Sequence, residues 1–165
     1  MKMATDPDSL RGIRSGRIVG IDYGHKRIGL AMSDPFQMMA STLDTLANAN
    51  RPHAIEEIAT IVRENDVCAI VVGKPLHMSG DEGEMTNKVR EFVGTLADKI
   101  DVPIFLWDER WTTMSAEKLL IETGRSPSRN RHRIDQVAAA YLLQSFLDRI
   151  AFLKREEARN AGLKK

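Results

Sequence analysis

The stretch RIVGIDYGHKRIGLAMSD, residues 17–34, decides the fold class of this chain. Two alternating apolar runs, 17–22 and 27–34, flank the turn-forming residues YGHK at 23–26. Alternating runs that are joined by a short turn containing glycine are typical of a β-hairpin. A further apolar stretch follows at 39–46, so the region predicts an antiparallel meander of three strands.

The rest of the chain changes between helical and strand patterns. VCAIVVG (67–73) and VPIFLWDE (102–109) are largely apolar runs, typical of strands that are buried on both faces of a sheet. Apolar residues at helical spacing predict four helices, at 53–65, 85–96, 115–123 and 134–155. This order predicts an α/β fold with a mixed five-stranded sheet, an antiparallel meander plus parallel strands, flanked by helices. Ribonuclease H-like proteins have this order, although other α/β sandwiches share it.

Length and charge limit the class of protein. The chain has 165 residues, with 24 Lys and Arg against 23 Asp and Glu, which gives a net charge of +1. We expect one domain at 17–150, between a flexible leader at 1–16 and a charged tail at 151–165. Because the overall charge is almost zero, a surface that binds a polyanion must concentrate its positive charge locally.

No stretch of the sequence has the pattern of a signal peptide or the length of a membrane span. The lone Cys68 lies in an apolar run, which indicates a buried thiol and suits a reducing compartment. We therefore expect a cytoplasmic protein without a membrane partner.

Acidic residues stand where the predicted strands end. Asp22 ends the first strand, Asp108 and Glu109 end the last strand, and Asp135 opens the final helix. Sites in open α/β sheets form at strand ends, and a carboxylate cluster there needs a cation to offset its self-repulsion. Oxygen ligands without His or Cys favour Mg²⁺ or Mn²⁺, and two such ions can support phosphodiester hydrolysis. The alternative is that these acids are turn residues or helix caps, as the helix dipole would favour for Asp135.

Basic residues flank each of these acids. They are Lys26, Arg27, Lys74, Arg110, Arg125, Arg129, Arg131 and Arg133. Cations at this density can contact several phosphates of a nucleic acid. The alternatives are a solvated charged loop at 125–133 and, for Arg110, an ion pair that orients Glu109 or Asp108.

Four motifs in order resemble the YqgF/RuvX family, from Arg17 to Asp148. They are IVGIDYGHKRIGLAMSD, IVVGKPLHMSGDEG, DERWTT and IDQVAAAYLLQSFLD. The resemblance implies a ribonuclease H-like nuclease with Asp22, Glu109 and Asp135 as catalytic and metal-binding residues. Asp108 is held in reserve as a metal ligand, because neighbouring side chains on a strand point to opposite faces.

The resemblance implies a metal-dependent endonuclease that hydrolyses phosphodiester bonds in structured nucleic acid. It favours processing of the 5′ end of precursor 16S ribosomal RNA, with ribosomal subunit precursors as partners, and gives Holliday junction resolution on branched DNA as the alternative. A non-catalytic nucleic-acid-binding factor in transcription or ribosome assembly is a second class. An actin- or sugar-kinase-like ATPase is a third, but the length leaves no room for its second domain. The oligomeric state, monomer or homodimer, stays open, and a dimer would suit a symmetric junction.

Overall fold

The computed structural model describes residues 7–74, 83–108 and 131–163. Its strands are β1 (Arg17–Tyr23), β2 (Arg27–Ser33), β3 (Ala40–Thr42), β4 (Leu46–Ala47), β5 (Val67–Lys74) and β6 (Ile104–Asp108). Its helices are α1 (Pro7–Arg11), α2 (Arg51–Glu64), α3 (Glu84–Ala97) and α4 (Arg131–Gly162), with a short 3₁₀ turn at Asn48–Asn50. None of the helices in these ranges is long and apolar enough to cross a membrane.

The strands form one mixed sheet in the order β3-β2-β1-β5-β6, and β4 also pairs with β2. The β1–β2 hairpin and the β3 and β4 pairings are antiparallel, whereas β1–β5 and β5–β6 are parallel. The predicted mixed sheet is confirmed. The third strand predicted at 39–46 is divided into β3 and β4, because its two ends pair with opposite ends of β2. Between them, the amide of Leu43 donates to the carbonyl of Leu30 at 2.9 Å. The described sheet therefore has six strands and not five.

Helices cover both faces of this sheet. One face, which we call the α2/α3 face, carries Val19, Ile21 and Tyr23 of β1 and buries the apolar sides of α2 and α3. The opposite face, the α4 face, carries Ile18 and packs against the long helix α4. Alternation along β1 thus assigns odd-numbered positions of that strand to the α2/α3 face and even-numbered positions to the α4 face.

Two glycines let α4 lie directly on the hairpin. A Cβ at Gly20 would lie 2.8 Å from the Cβ of Leu143 and 3.1 Å from the carbonyl oxygen of Ala139. A Cβ at Gly29 would lie 2.8 Å from the carbonyl carbon of Asp135 and would overlap the oxygen of that carbonyl. No larger residue fits at either position without moving the helix, so these glycines fix where the first turns of α4 run.

Described parts of the predicted leader and tail pack into the domain core. Within the predicted leader at 1–16, which the structure describes from Pro7, Leu10 and Ile13 are buried in the core beside α4. At the other end α4 runs to Gly162, beyond the predicted end at 155, and buries Leu153. The sequence pattern misses Leu10 and Ile13 because each is an isolated apolar residue in a polar stretch. The helix predicted at 115–123 lies outside the described residues.

Candidate active site

Asp22 stands near the end of β1 on the α4 face. It is partly buried, and its cross-strand partner on β2 is Gly29. Gly20, two positions earlier on β1, lies under α4, so alternation places the Asp22 side chain on the same face. The Cα atoms of directly opposite residues in an antiparallel pair are about 4.5–5.5 Å apart. Asp22 is therefore one strand away from the point where α4 touches the sheet.

Asp135 occupies that point of contact. Its backbone lies over Gly29, where a built Cβ would be 3.4 Å from the Cβ of Asp135. Its carboxylate Oδ2 accepts a hydrogen bond from Nε of Arg27 at 3.0 Å, and the two side chains are 30% and 24% exposed. The structure thus brings together two of the predicted site residues, Asp22 and Asp135, which are far apart in sequence.

Asp108 lies on the other face of the sheet. On β6, Phe105 and Trp107 pack in the cluster against α4, whereas Ile104 and Leu106 pack in the cluster against α2 and α3. Alternation therefore assigns Asp108 to the α2/α3 face, away from Asp22. Lys74 is its partner in the β5–β6 register and shares that face by the same alternation along β5. Glu109 lies outside the described residues.

Apart from Lys74, the predicted phosphate-binding residues divide into three groups. Lys26 is exposed in the hairpin turn, and Arg27 is paired with Asp135. Arg131 and Arg133 belong to the first turns of α4, close in sequence to Asp135. Three others lie outside the described residues, namely Arg110, Arg125 and Arg129.

Comparison with known proteins decides the family. The family model described as "RuvX: Holliday junction resolvase" matches residues 16–149. The chain belongs to this family. A relative from Roseiflexus sp. is 47% identical over 133 residues, which are 81% of this chain and 94% of that protein. A relative from Pelotomaculum thermopropionicum is 47% identical over 141 residues, 85% of this chain and 92% of that protein. Both are named "Putative pre-16S rRNA nuclease".

Solved structures agree with the ribonuclease H-like fold of this RuvX-family chain. The RuvC protein of T. thermophilus in complex with a Holliday junction has a TM-score of 0.54 at 16% identity, over 82% of this chain and 96% of that one. The yeast mitochondrial Holliday junction resolvase has a TM-score of 0.51 at 14% identity, over 92% and 89%. At these identities the likeness shows the fold alone. The family and the relatives confirm the predicted class of enzyme, a nuclease that hydrolyses nucleic acid.

The donor atoms of the site suit a hard divalent cation. Asp22 and Asp135 supply carboxylate oxygens, which Mg²⁺ and Mn²⁺ prefer, and the glycine at 29 leaves room for the two acids to approach. Within the described ranges no group of three His, Cys, Asp or Glu side chains could hold a metal ion. The third acid of the prediction, Glu109, is outside those ranges, so the described part of the site contributes two of the three expected ligands.

Asn48 is a residue of this region that no sequence pattern indicates. Its side-chain Nδ2 donates to the carbonyl of Gly24 at 2.7 Å, and its backbone N donates to the carbonyl of Lys26 at 2.9 Å. The turn is closed by the amide of Gly24, which donates to the carbonyl of Arg27 at 2.9 Å. Asn48 therefore holds the hairpin turn that carries Lys26 and Arg27. The only sequence signal was an Asn-rich turn before a helix, which does not tell which loop it contacts.

Arg51 supports the same end of β1 from the α2/α3 face. Its Nη2 donates to the hydroxyl of Tyr23 at 3.1 Å, and its Nη1 donates to Oε2 of Glu91 at 3.1 Å. The bond to Glu91, followed by the contacts with Tyr23, raises the pKa of Arg51 above its ordinary value. The ring of Tyr23 also packs on Phe92, with centroids 4.8 Å apart. These contacts hold Tyr23, the residue that follows Asp22, against α2 and α3.

Proposed function

We propose that this chain is a metal-dependent endonuclease that processes the 5′ end of precursor 16S ribosomal RNA. The observation that carries the proposal is the placement of Asp135 over Gly29, the cross-strand partner of Asp22. This placement puts the carboxylates of Asp22 and Asp135, from opposite ends of the domain, on one face of the sheet. The names of the relatives from Roseiflexus sp. and Pelotomaculum thermopropionicum support the RNA substrate. We infer a cytoplasmic location for such an enzyme.

The catalytic residues in this proposal are Asp22, Glu109 and Asp135. Strand alternation assigns Asp108 to the face away from Asp22, which favours the neighbouring acid Glu109 as the third ligand. The three carboxylates would hold Mg²⁺ or Mn²⁺, and the bound ions would activate a water and stabilise the leaving oxygen in phosphodiester cleavage. The chain itself orients the acids through the packing of α4 on the hairpin.

The basic residues around the acids would hold the RNA backbone. Lys26 projects from the hairpin turn, and the first turns of α4 carry Arg131 and Arg133 directly before Asp135. We assign these three, together with Arg110, Arg125 and Arg129, to phosphate contacts, because each adds a salt-dependent increment to affinity. Lys74 lies on the α2/α3 side of the sheet beside Asp108, so we place it at the margin of this surface.

Resolution of Holliday junctions is the second candidate function. The description of the family as a Holliday junction resolvase favours it. A four-way junction needs two symmetric cuts and therefore two active sites, as a homodimer provides. A single cut in an RNA precursor needs one site. Sizing the purified protein with and without each substrate thus bears on the choice between the two.

A cleavage assay with paired variants tests the catalytic assignment. Precursor 16S rRNA fragments and four-way DNA junctions are incubated with purified protein in Mg²⁺, Mn²⁺ or EDTA. We expect Asp22→Asn and Asp135→Asn each to abolish cleavage while the fold is retained. Asp66→Asn is the matched control, since Asp66 is an exposed acid at the opposite end of β1, where its carbonyl accepts from the amide of Arg17. Wild-type cutting by both site variants would refute the assignment, and cutting of the junction alone would select the second function.

A further inference from the structure

The ion pair of Arg27 with Asp135 carries an inference beyond phosphate binding. We propose that Arg27 is a positioning residue, which orients the Asp135 carboxylate for the divalent metal. The inference rests on the proposed function, because it requires that Asp135 be a metal ligand. It differs from the expectation that Arg27 holds nucleic acid, since the guanidinium acts here through another side chain of the protein.

Both partners of this pair are held by rigid backbone. Arg27 is the first residue of β2, where it pairs with Ala47 of β4 and its carbonyl accepts from the amide of Gly24 at 2.9 Å. Asp135 is pressed against Gly29 by the packing of α4. The pair is also partly buried, with exposures of 24% and 30%. Formation of this pair therefore costs less conformational entropy than formation of an exposed ion pair between two mobile side chains.

The geometry of the bond leaves the carboxylate able to bind a metal. Arg27 donates through Nε to Oδ2, and an ionised carboxylate has a second oxygen and further lone pairs for other partners. Carboxylates that bind metals are commonly held by a hydrogen bond of this kind, and loss of such a partner lowers metal affinity or activity about 10–100-fold. Arg27 thus fixes one oxygen of Asp135 and so sets the direction of the other.

Its positive charge could instead oppose metal binding. If Arg27 acted only as a cation near the site, its removal would relieve repulsion and tighten the binding of a divalent ion. A lysine at the same position would then behave like the arginine, because it keeps the charge. The positioning role predicts instead that removal of Arg27 weakens metal binding and that a lysine does not replace it. A lysine ammonium is a point charge without the fixed planar donors of a guanidinium. The two roles are separable by measurement.

The test measures Mn²⁺ binding directly, by electron paramagnetic resonance of the free ion, on the full chain without nucleic acid. We expect Arg27→Met to weaken Mn²⁺ binding at least about tenfold, by the loss of the oriented carboxylate. Arg27→Lys should not restore the affinity. Lys26→Met is the matched control, since it removes the same charge from the exposed neighbour in the turn, and its Mn²⁺ affinity should stay within about twofold of wild type. Circular dichroism checks that each variant is folded, and Arg27→Gln replaces Arg27→Met if the latter unfolds.

Cleavage kinetics give a second readout. A positioning role predicts that raising Mn²⁺ increases the rate of the Arg27 variant while KM for RNA stays near the wild-type value. A raised KM at unchanged Mn²⁺ affinity would overturn the proposal and return Arg27 to phosphate binding. Equal or tighter Mn²⁺ binding by Arg27→Met, or full rescue by Arg27→Lys, would also overturn it. If the wild-type protein itself binds no Mn²⁺, the proposed metal-dependent function fails first, so the two failures are distinguishable.

Discussion

Substitution of Gly29 by alanine probes the contact on which the site depends. The new Cβ would lie 2.8 Å from the carbonyl carbon of Asp135, against 3.4–4 Å for an ordinary contact, and the atoms opposing it are backbone. Gly29 is paired with Asp22 within the hairpin, so neither the β2 backbone nor the α4 backbone can relieve the contact by rotating a side chain. The first turns of α4 must therefore move away from the sheet by about 1 Å to restore ordinary packing.

Two effects of different size follow from this displacement. Overpacking of a well-packed contact typically lowers the free energy of unfolding by about 1–3 kcal/mol. For a domain of this size that corresponds to a fall in Tm of about 2–12 °C. A misplacement of about 1 Å at a catalytic group can lower the rate about 100-fold. We therefore expect Gly29→Ala to remain folded but to lose most of its cleavage activity and Mn²⁺ affinity.

Gly94→Ala is the matched control for this experiment. Gly94 lies inside α3, and a Cβ built there meets nothing within 4 Å. The same change should raise stability by about 0.5–1 kcal/mol, because alanine is the better helix former, and should leave cleavage unchanged. Thermal unfolding and cleavage are measured on both variants. A Gly29→Ala protein with wild-type stability and activity would refute the argument that α4 positions Asp135 through this glycine.

Two further predictions concern charge. The amides of Met39, Met38 and Phe36 bond the Asp34 carboxylate and hold its pKa below the ordinary value, the Met39 amide most strongly. The ionised Asp34 therefore stabilises the fold fully above its unfolded pKa of about 3.9, and this stabilisation is lost as pH falls through the lower folded pKa. In urea unfolding, Asp34→Ala should have a lower free energy of unfolding than wild type at pH 7, and the difference should disappear in acid. Replacing Arg129 and Arg131 together by alanine should reduce the salt slope of RNA binding by about 0.7 per lost phosphate contact, and an unchanged slope in a filter-binding titration would exclude both residues from the interface.

The parts of the fold that the sequence predicts are those set by local patterns. The hairpin at 17–34 and the buried strands at β5 and β6 follow from alternation, apolar runs and turn residues, and all appear in the structure. The division of the third strand does not follow from such patterns, because it depends on which residues of β2 have partners. Leu10 and Ile13 are hidden for a similar reason, since their burial depends on a helix more than a hundred residues later.

The candidate site shows the same limit more sharply. The sequence indicates Asp22 from the end of a strand and Asp135 from the start of the final helix, but the bond from Arg27 to Asp135 spans 108 residues and has no local signal. Alternation along a strand implies that Asp108 and its neighbour Glu109 differ in face, but not which face either one takes. In the structure Leu106 packs towards α2 and α3 and Trp107 towards α4, and this alternation assigns Asp108 to the α2/α3 face. Sequence alone predicts that neighbouring positions of a strand point to opposite faces, whereas the packing of the strand is needed to tell which face Asp108 occupies.

The close contact of α4 with the hairpin connects stability with chemistry in this domain. Gly20 and Gly29 lie on one face of neighbouring strands, and both lack the Cβ that would hold the helix away. The helix that fills the core at Leu143 therefore also sets the height of Asp135 above the sheet, while Arg27 sets the direction of its carboxylate. Because one rigid contact serves both purposes, substitutions in the core beneath α4 should change the affinity for metal before they unfold the chain. A site carried on a loop would not show that coupling, since a loop can move without disturbing the core.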